Sequence, residues 1–274
     1  VRLVKVRVRR IEFIPIKSLI QQTSRDYSKN RLKYQFMVLS DFLHWLPQYF
    51  FPKICYGCGK EGLFICPDCR PKAVKAINLL ICPMCQKQSP LGLTHPKCQR
   101  TNGLDGLISY YRYSAWAKEI VKDAKFGLNP HWRAMKELAE EFAGKLVTRN
   151  SLFATREDSA AVVPIPLHWW RKMKRGFNQA EIIAKPIAES LGLPLKTDLI
   201  ERSTYSLPQT LVGDKSRRSN VKKAFAVNKR TAKLPANIML VDDVWTSGAT
   251  MKECCRTLKS AGVKRVWGIT LLRA

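Results

Sequence analysis

The chain has 274 residues, of which 46% are hydrophobic, and this supplies enough apolar material for a packed core. Such a composition excludes collagen-like, fibrous and wholly disordered proteins. Lys and Arg outnumber Asp and Glu by 48 to 21, and the resulting formal charge of +27 attracts polyanions with an affinity that falls as salt rises. We therefore expect nucleic acids or phosphorylated molecules among the ligands.

Residues 1–36 form a basic extension with ten Lys or Arg and two acidic residues. The segment lacks the periodicity of a core helix or strand, so we expect it to be disordered or to result from a mis-assigned start. The alternative is a basic arm that helps to hold nucleic acid. The apolar stretch at 36–51 is interrupted by polar residues, and no secretory signal is evident. We expect a cytoplasmic protein.

Seven of the nine cysteines lie between Cys55 and Cys98, mostly in pairs separated by two residues. This repeated spacing indicates zinc knuckles rather than disulfides, scattered core cysteines or a single redox pair. Sequential pairing of the knuckles is the simplest arrangement, although interleaved pairing remains open. Closed tetrahedral sites indicate structural rather than catalytic zinc. The candidate ligands are Cys55, Cys58, Cys66 and Cys69 for one zinc and Cys82, Cys85, His95 and Cys98 for another.

From residue 104 onward, short apolar runs alternate with amphipathic helices, a pattern that predicts a parallel sheet covered on both faces. Pro186 is expected to kink or shorten its helix. Cys254 and Cys255 lie on an apolar helical stripe and are expected to be packing residues. The predicted strands are 107–112, 161–165, 238–241 and 266–272, and the predicted helices are 115–125, 131–146, 178–191 and 250–260.

Residues 241–250 are the most informative segment, because a buried strand ends in two carboxylates and a hydroxyl-rich turn opens the next helix. Backbone amides at a helix start, with added hydroxyl donors, can hold a phosphate, and Gly248 permits close approach. The carboxylates of Asp242 and Asp243 suit ribose hydroxyls or Mg²⁺, since they would repel the phosphate. The pattern predicts a site for a ribose 5-phosphate. An ordinary strand, turn and helix is the alternative.

This segment resembles the phosphoribosyl-pyrophosphate motif of type I phosphoribosyltransferases. From about residue 37 to 274, the chain resembles the competence protein F (ComF) family, which is associated with DNA uptake during natural transformation. The resemblance implies a double zinc ribbon with a short apolar helix at 37–103 and a phosphoribosyltransferase domain at 104–274. The departures are His95 for a usual Cys, Ser247 for a usual Thr, and the bulky Trp245. The matching blocks are the knuckles, 125–127 (Lys-Phe-Gly), 163–166 (Val-Pro-Ile-Pro), 175–179 (Arg-Gly-Phe-Asn-Gln), 208–209 (Pro-Gln), 218–221 (Arg-Ser-Asn-Val), 224–225 (Ala-Phe) and 241–250.

The resemblance also implies residue roles. Asp242 and Asp243 would be the catalytic pair that contacts ribose or Mg²⁺, and the 203–220 segment resembles the mobile lid of these enzymes. The turn that would hold the 5-phosphate comprises Thr246, Ser247, Gly248, Ala249 and Thr250. The pyrophosphate loop and lid would contribute Arg171, Lys174, Arg175, Gln209, Arg217 and Arg218.

Three functions remain open at this stage. The chain could be a competence factor that binds phosphoribosyl pyrophosphate or a related sugar phosphate, contacts single-stranded DNA and works with a competence helicase or translocase. It could instead be a salvage or biosynthetic phosphoribosyltransferase, or a zinc-stabilised adaptor with a vestigial site. Trp169 and Trp170, interleaved with cations, could stack on bases, but we favour their packing within the domain.

Overall fold

The structure is a computed structural model that describes residues 52–73, 76–77, 79–126, 132–147, 160–202, 224–228, 230–231 and 233–274. For Arg171 and Lys174 it describes the backbone alone. Lys53–Ala274 form one compact unit. In chain order the elements are α1 (Arg70–Ala73), β1 (Gly106–Arg112), α2 (Ala115–Phe126), α3 (Trp132–Val147), β2 (Ala160–Pro164), α4 (Trp169–Arg175), α5 (Gln179–Leu191), β3 (Ile200–Arg202), β4 (Phe225–Val227), β5 (Asn237–Trp245), α6 (Ala249–Ser260) and β6 (Arg265–Arg273).

Four strands form a parallel sheet in the order β1-β6-β5-β2, and β3 and β4 form a separate antiparallel pair. Helices α2, α3 and α5 contribute to one buried cluster, whereas α6, β3 and β4 contribute to the other. The predicted α/β fold with a parallel sheet is therefore confirmed. The four predicted strands and four predicted helices all occur, most within one residue of their predicted bounds.

Strand β5 is longer than the predicted 238–241 and continues to Trp245. Its extension pairs with β6, where Asp242 is opposite Thr270 and Trp245 is opposite Arg273. The prediction that the carboxylates follow the strand is therefore wrong. Pairing with β6 overrides the low strand propensity of aspartate, so both carboxylates are held by sheet backbone rather than by a loop.

Helix α5 continues through Pro186 to Leu191, so the alternative in which the proline shortens the helix is wrong, whereas the predicted kink stays a prediction. Ile183 and Ile187, on either side of the proline, are fully buried and contribute to the main core cluster. The apolar burial on this face outweighs the loss of one helical hydrogen bond. The prediction for Cys254 and Cys255 is confirmed, since both are fully buried in the cluster beneath α6.

The cysteine-rich segment packs onto the α/β fold at several points. A Cβ atom at Gly57 would lie 1.8 Å from the ring of Trp116 on α2, so only glycine allows this close packing. Arg70 forms an ion pair with Glu141 on α3. Leu93 forms a bridge with Gly106 at the start of β1. These contacts fix both halves of the segment against the helices and the sheet.

Within the described residues, no helix is both long and apolar enough to cross a membrane.

The turn after β5 rests on the indole of Trp245, which is 2% exposed and packs in the cluster beneath α6. Gly248 adopts a left-handed conformation with φ of 71°, and a Cβ atom there would lie 2.2 Å from Cη2 of Trp245. The Nζ atom of Lys252 lies 5.4 Å from the centroid of the same indole. The bulk of Trp245 is thus accommodated in the core, where it supports the turn from below.

We predict that Gly248→Ala lowers the free energy of unfolding by about 2 to 4 kcal/mol, because the methyl group meets the indole and an L-residue is strained at this φ. Chemical denaturation monitored by circular dichroism measures the change. The matched control is Gly144→Ala on α3, where a Cβ atom meets nothing within 4 Å. That variant is expected to gain about 0.5 to 1 kcal/mol, and equal effects of the two substitutions would contradict the packing described here.

Candidate functional site

The structure brings the eight candidate metal ligands together in the two sets that sequential pairing predicts. Within each set, the ligand atoms all lie within 4.8 Å of one another. The interleaved pairing is thus not the one observed. The two sets are Cys55, Cys58, Cys66 and Cys69, and Cys82, Cys85, His95 and Cys98.

The distances fit a tetrahedral metal ion. Zn–S bonds near 2.3 Å place two thiolates of one site about 3.8 Å apart. The Sγ atoms of Cys58 and Cys66 are 3.6 Å apart, and Sγ of Cys85 is 3.4 Å from Nδ1 of His95. Four ligands per set leave no position for water, which favours a structural role for each metal ion.

The orientation of His95 fits metal coordination through Nδ1. Its Nε2 atom lies 3.0 Å from the carbonyl oxygen of Gln88. A proton on Nε2 that is donated to this carbonyl leaves the lone pair of Nδ1 directed at Cys85. His95, which replaces a usual cysteine, is therefore compatible with a metal site that four ligands close.

The first cysteine of each set is prepared for deprotonation. Burial tends to raise the pKa of Cys55, but backbone N–H groups, including those of Cys66 and Gly57, hydrogen-bond its sulfur and lower the pKa to about 6. The pKa of Cys82 falls to about 7 for the same combination of reasons. Burial and the neighbouring thiols raise the pKa of Cys69 to about 12 and that of Cys98 to about 11. Metal binding must therefore displace protons from the later cysteines.

The turn from Thr246 to Thr250 presents backbone N–H groups at the start of α6. Among the described residues, no acceptor is found for the amides of Thr246, Ser247, Gly248 and Thr250, whereas the amide of Ala249 donates to Oγ of Ser247 at 3.4 Å. Such a row of amides at a helix start favours an anion. Thr246 and Ser247 of this turn are exposed, Ala249 and Thr250 are partly buried, and Gly248 is buried against Trp245.

The acidic pair lies at the carboxyl end of β5, directly before this turn. The backbone N–H of Asp243 donates to Oδ1 of Asp242 at 2.9 Å. Burial and the charge of Asp243 raise the pKa of Asp242 from 3.8 to about 7, although Lys125 partly opposes this shift. Asp242 is therefore only partly ionised near neutral pH, and a cation that binds there would favour its charged form.

Lys125, near the end of α2, forms the counter-ion of the acidic pair. Its Nζ atom lies 2.5 Å from Oδ2 of Asp243, and the two side chains are 28% and 12% exposed. Lys125 was assigned no role from the sequence, although it is the first residue of the Lys-Phe-Gly block of the family resemblance. The contact joins α2 and β5, which are far apart in the chain, and a local sequence pattern does not reveal such a contact.

The predicted pyrophosphate loop follows β2, which is parallel to β5 and directly beside it. The amide of Ile165 donates to the carbonyl of Val241 at 2.8 Å, so this loop and the phosphate turn leave the same edge of the sheet. Nδ2 of Asn178 donates to the carbonyl of Ile165 at 3.0 Å and ties α5 to the loop. Arg175 lies at the end of α4, where Nη1 donates to Oε1 of Gln179 at 3.4 Å.

Several predicted residues lie beyond what the structure describes. The side chains of Arg171 and Lys174 are among them, and the predicted lid residues Gln209, Arg217 and Arg218 lie in the undescribed segment 203–223. Their assigned roles stay predictions.

The preference for packed tryptophans on α4 is wrong. Trp169 is 61% exposed, Trp170 is 43% exposed, and Met173 is 75% exposed. His168 caps the helix by accepting the amide of Trp170 at 3.4 Å. Trp169, Trp170 and Lys172 of this seven-residue helix are thus all exposed to solvent.

Comparisons with known proteins show the family to which the chain belongs. DNA utilization protein YhgH of Escherichia coli O157:H7 is 30% identical over 235 residues, which cover 79% of this chain and 96% of that protein. The chain belongs to the family of competence and DNA utilization proteins. Competence protein ComFC of Bacillus subtilis is another member, 29% identical over 218 residues that cover 77% of this chain and 84% of that protein.

Competence protein F of Haemophilus influenzae is 33% identical over 112 residues, which cover 40% of this chain and about half (49%) of that relative's length. No family model matches the chain. Among solved structures, hypoxanthine phosphoribosyltransferase of Trypanosoma cruzi is similar with a TM-score of 0.33 and 12% identity, covering 52% of this chain and 68% of that one.

We predict that purified protein contains about two zinc ions per chain, because each set offers four ligands at tetrahedral distances. Cys58→Ser and Cys85→Ser should each reduce the zinc content by about one ion, as measured by atomic emission spectroscopy. Cys255→Ala is the matched control, because this buried cysteine belongs to neither set. Well-folded protein without zinc would refute the assignment.

We predict that the thermal stability of the parent protein, relative to that of Asp242→Asn, falls as pH rises from about 4 to about 7. The pKa of Asp242 is raised to about 7 in the folded protein, above the ordinary 3.8, so the folded state retains a proton that the unfolded state has lost. Stability is therefore lost as pH rises through this interval. Asp198→Asn, at an exposed carboxylate, should retain the profile of the parent protein. Parallel profiles for the parent and Asp242→Asn would exclude the raised pKa.

Proposed function

We propose that the chain binds phosphoribosyl pyrophosphate, or a related sugar phosphate, at the 246–250 turn and acts in DNA uptake in the cytoplasm. The supporting observation is the juxtaposition of amides without acceptors in the described chain and an acidic pair at the end of one central strand. The first feature attracts a phosphate, and the second attracts hydroxyl groups or a cation. A pentose phosphate carries both partners within a single small molecule.

In the proposed complex, the amides from Thr246 to Thr250 hold the 5-phosphate, and Asp242 and Asp243 bind ribose hydroxyls or Mg²⁺. Mg²⁺ would bring its own charge to the pyrophosphate oxygens. The raised pKa of Asp242 supports this role, because a bound cation stabilises the ionised carboxylate. The ammonium of Lys125 lies next to Asp243, so a bound cation would compete with it for this carboxylate.

The same arrangement supports phosphoribosyl transfer, with pyrophosphate as the leaving group and the 203–220 segment as a lid that excludes water. The two metal sites serve as structural zinc sites that hold the cysteine-rich segment against the helices and the sheet. This role is supported by the closed ligand sets and by the packing of Gly57 against Trp116.

We further propose that the chain contacts single-stranded DNA during uptake, alongside a competence helicase or translocase. The exposed rings of Trp169 and Trp170 support this contact, because base stacking on aromatic rings next to cations is a common mode of single-strand binding. The formal charge of +27 adds an attraction for the phosphate backbone that depends on salt.

We predict that the double variant Asp242→Asn and Asp243→Asn loses binding of phosphoribosyl pyrophosphate in the presence of Mg²⁺, as measured by isothermal titration calorimetry. The two asparagine side chains retain carbonyl oxygens, but they cannot supply the negative charge that a divalent cation requires. The affinity should fall at least about a hundredfold, which corresponds to about 2.8 kcal/mol.

Asp198→Asn, which removes one exposed carboxylate elsewhere, is the control and should bind like the parent protein. Circular dichroism verifies that the double variant is folded. Unchanged affinity in a folded double variant would overturn the site, whereas absence of binding in the parent protein would overturn the proposed ligand.

A further inference from the structure

A groove of about 590 Å³ lies between the second metal cluster and α6. Ser247 and Ala249 of the phosphate turn line this groove, as do Met84 and Arg100 of the cysteine-rich segment. The volume falls within the range typical of small-molecule sites, about 300 to 1,000 Å³. The groove is therefore lined both by the phosphate turn and by the segment that holds the second metal cluster.

The charges in this groove favour an anion. Its described lining includes the cations Arg100, Lys252 and Arg256 and the carboxylate of Glu253. Arg256 binds that carboxylate through two hydrogen bonds, from Nε at 3.0 Å and from Nη2 at 2.7 Å. The described lining therefore carries three cations against one carboxylate, and Arg256 is the cation that binds this carboxylate directly.

Lys252 is held at the end of the groove that adjoins the turn. Its Nζ atom donates to the carbonyl of Ser247 at 3.2 Å and lies over the indole of Trp245. The ammonium is thus positioned next to the row of amides. Arg100 lines the same groove. The ammonium of Lys252 and the guanidinium of Arg100 can therefore both donate hydrogen bonds to one phosphate group.

The remaining lining suits a flat heterocycle. Met84 supplies a polarizable thioether, and Gln86 and Asn102 carry amides that offer both a donor and an acceptor. The position of Gln86 is fixed by its knuckle, since its backbone N–H donates to the carbonyl of Cys82 at 2.9 Å. Asn102 is anchored to α6, because its carbonyl accepts Sγ of Cys255 at 3.7 Å. Side-chain amides of this kind can form hydrogen bonds with the edge of a nucleobase.

We propose that this groove binds one nucleotide unit, with its phosphate between Arg100 and Lys252 and its base against Met84, Gln86 and Asn102. The inference rests on the proposed function in one respect, because both use the turn that contains Ser247. The nucleotide can be a free mononucleotide or the 5′-terminal nucleotide of a single strand, since both present the same phosphate and base.

The second metal cluster shapes this site. Met84 lies inside the Cys82–Cys85 knuckle, and Arg100 follows Cys98 by two residues. Both wall residues therefore depend on the loops that the four ligands hold together. Loss of metal from this cluster should weaken nucleotide binding, a coupling that a metal site remote from the ligand would not produce.

The test measures binding of the full chain to three probes by fluorescence competition: deoxyadenosine monophosphate, a 5′-phosphorylated oligodeoxynucleotide, and the same oligonucleotide with a 5′-hydroxyl. Arg100→Ala should weaken binding of the phosphorylated probes about tenfold and reduce the salt dependence by about one phosphate contact. Gln86→Ala should weaken binding without a change in salt dependence, because its amide is neutral.

Lys264→Ala is the matched control, because it removes a cation at the opposite edge of the sheet, beside the start of β6. Phosphoribosyl pyrophosphate binding separates this inference from the proposed function. Arg100→Ala should retain it, whereas the double variant at Asp242 and Asp243 should lose it. Zinc content and circular dichroism establish that each variant is folded.

An effect of Arg100→Ala on the mononucleotide supports a free nucleotide as ligand. An effect on the 5′-phosphorylated strand alone supports a strand end. Equal affinities of the parent protein, Arg100→Ala and Lys264→Ala for every probe would overturn the inference, as would identical binding of the phosphorylated and hydroxyl strands in all variants.

Discussion

Strand β5 pairs with a parallel neighbour on each side, and this double pairing positions the candidate site. Its backbone is satisfied by β6 as far as Trp245, so the acidic pair at its carboxyl end is held rigidly despite the cost of placing two carboxylates together. The indole that follows supports the turn from inside the core. The edge of the sheet, where parallel strands end, is also where ligands bind in such folds.

The order of strands and helices could be predicted because hydrophobic periodicity reflects burial directly. The errors occurred where tertiary contacts override local preference. Pairing with β6 extended β5 through two aspartates, and burial of the isoleucines around Pro186 kept α5 continuous. Trp169 was expected to pack in the domain but is exposed, because the seven residues of α4 are too few to bury an aromatic face. Sequence periodicity carries no information about which neighbour a segment will meet.

The site was predictable to the extent that its residues are consecutive. The turn from Thr246 to Thr250 and the knuckles are local motifs, and the spacing within them implies their geometry. Lys125 and Arg100 were not assigned, because each reaches its partners from a separate part of the chain. Their roles depend on how α2 and the second metal cluster pack, and composition does not encode that packing in any readable pattern.

The ion pair between Lys125 and Asp243 has a consequence for how the acidic pair selects its ligands. A divalent ion that enters must compete with an ammonium already in contact with the carboxylate, so a bare ion gains little charge stabilisation. A metal–phosphate complex differs, because its phosphate oxygens can accept the displaced ammonium while the metal takes the carboxylate. In the proposed site, Lys125 would therefore favour a metal–phosphate complex over a bare metal ion.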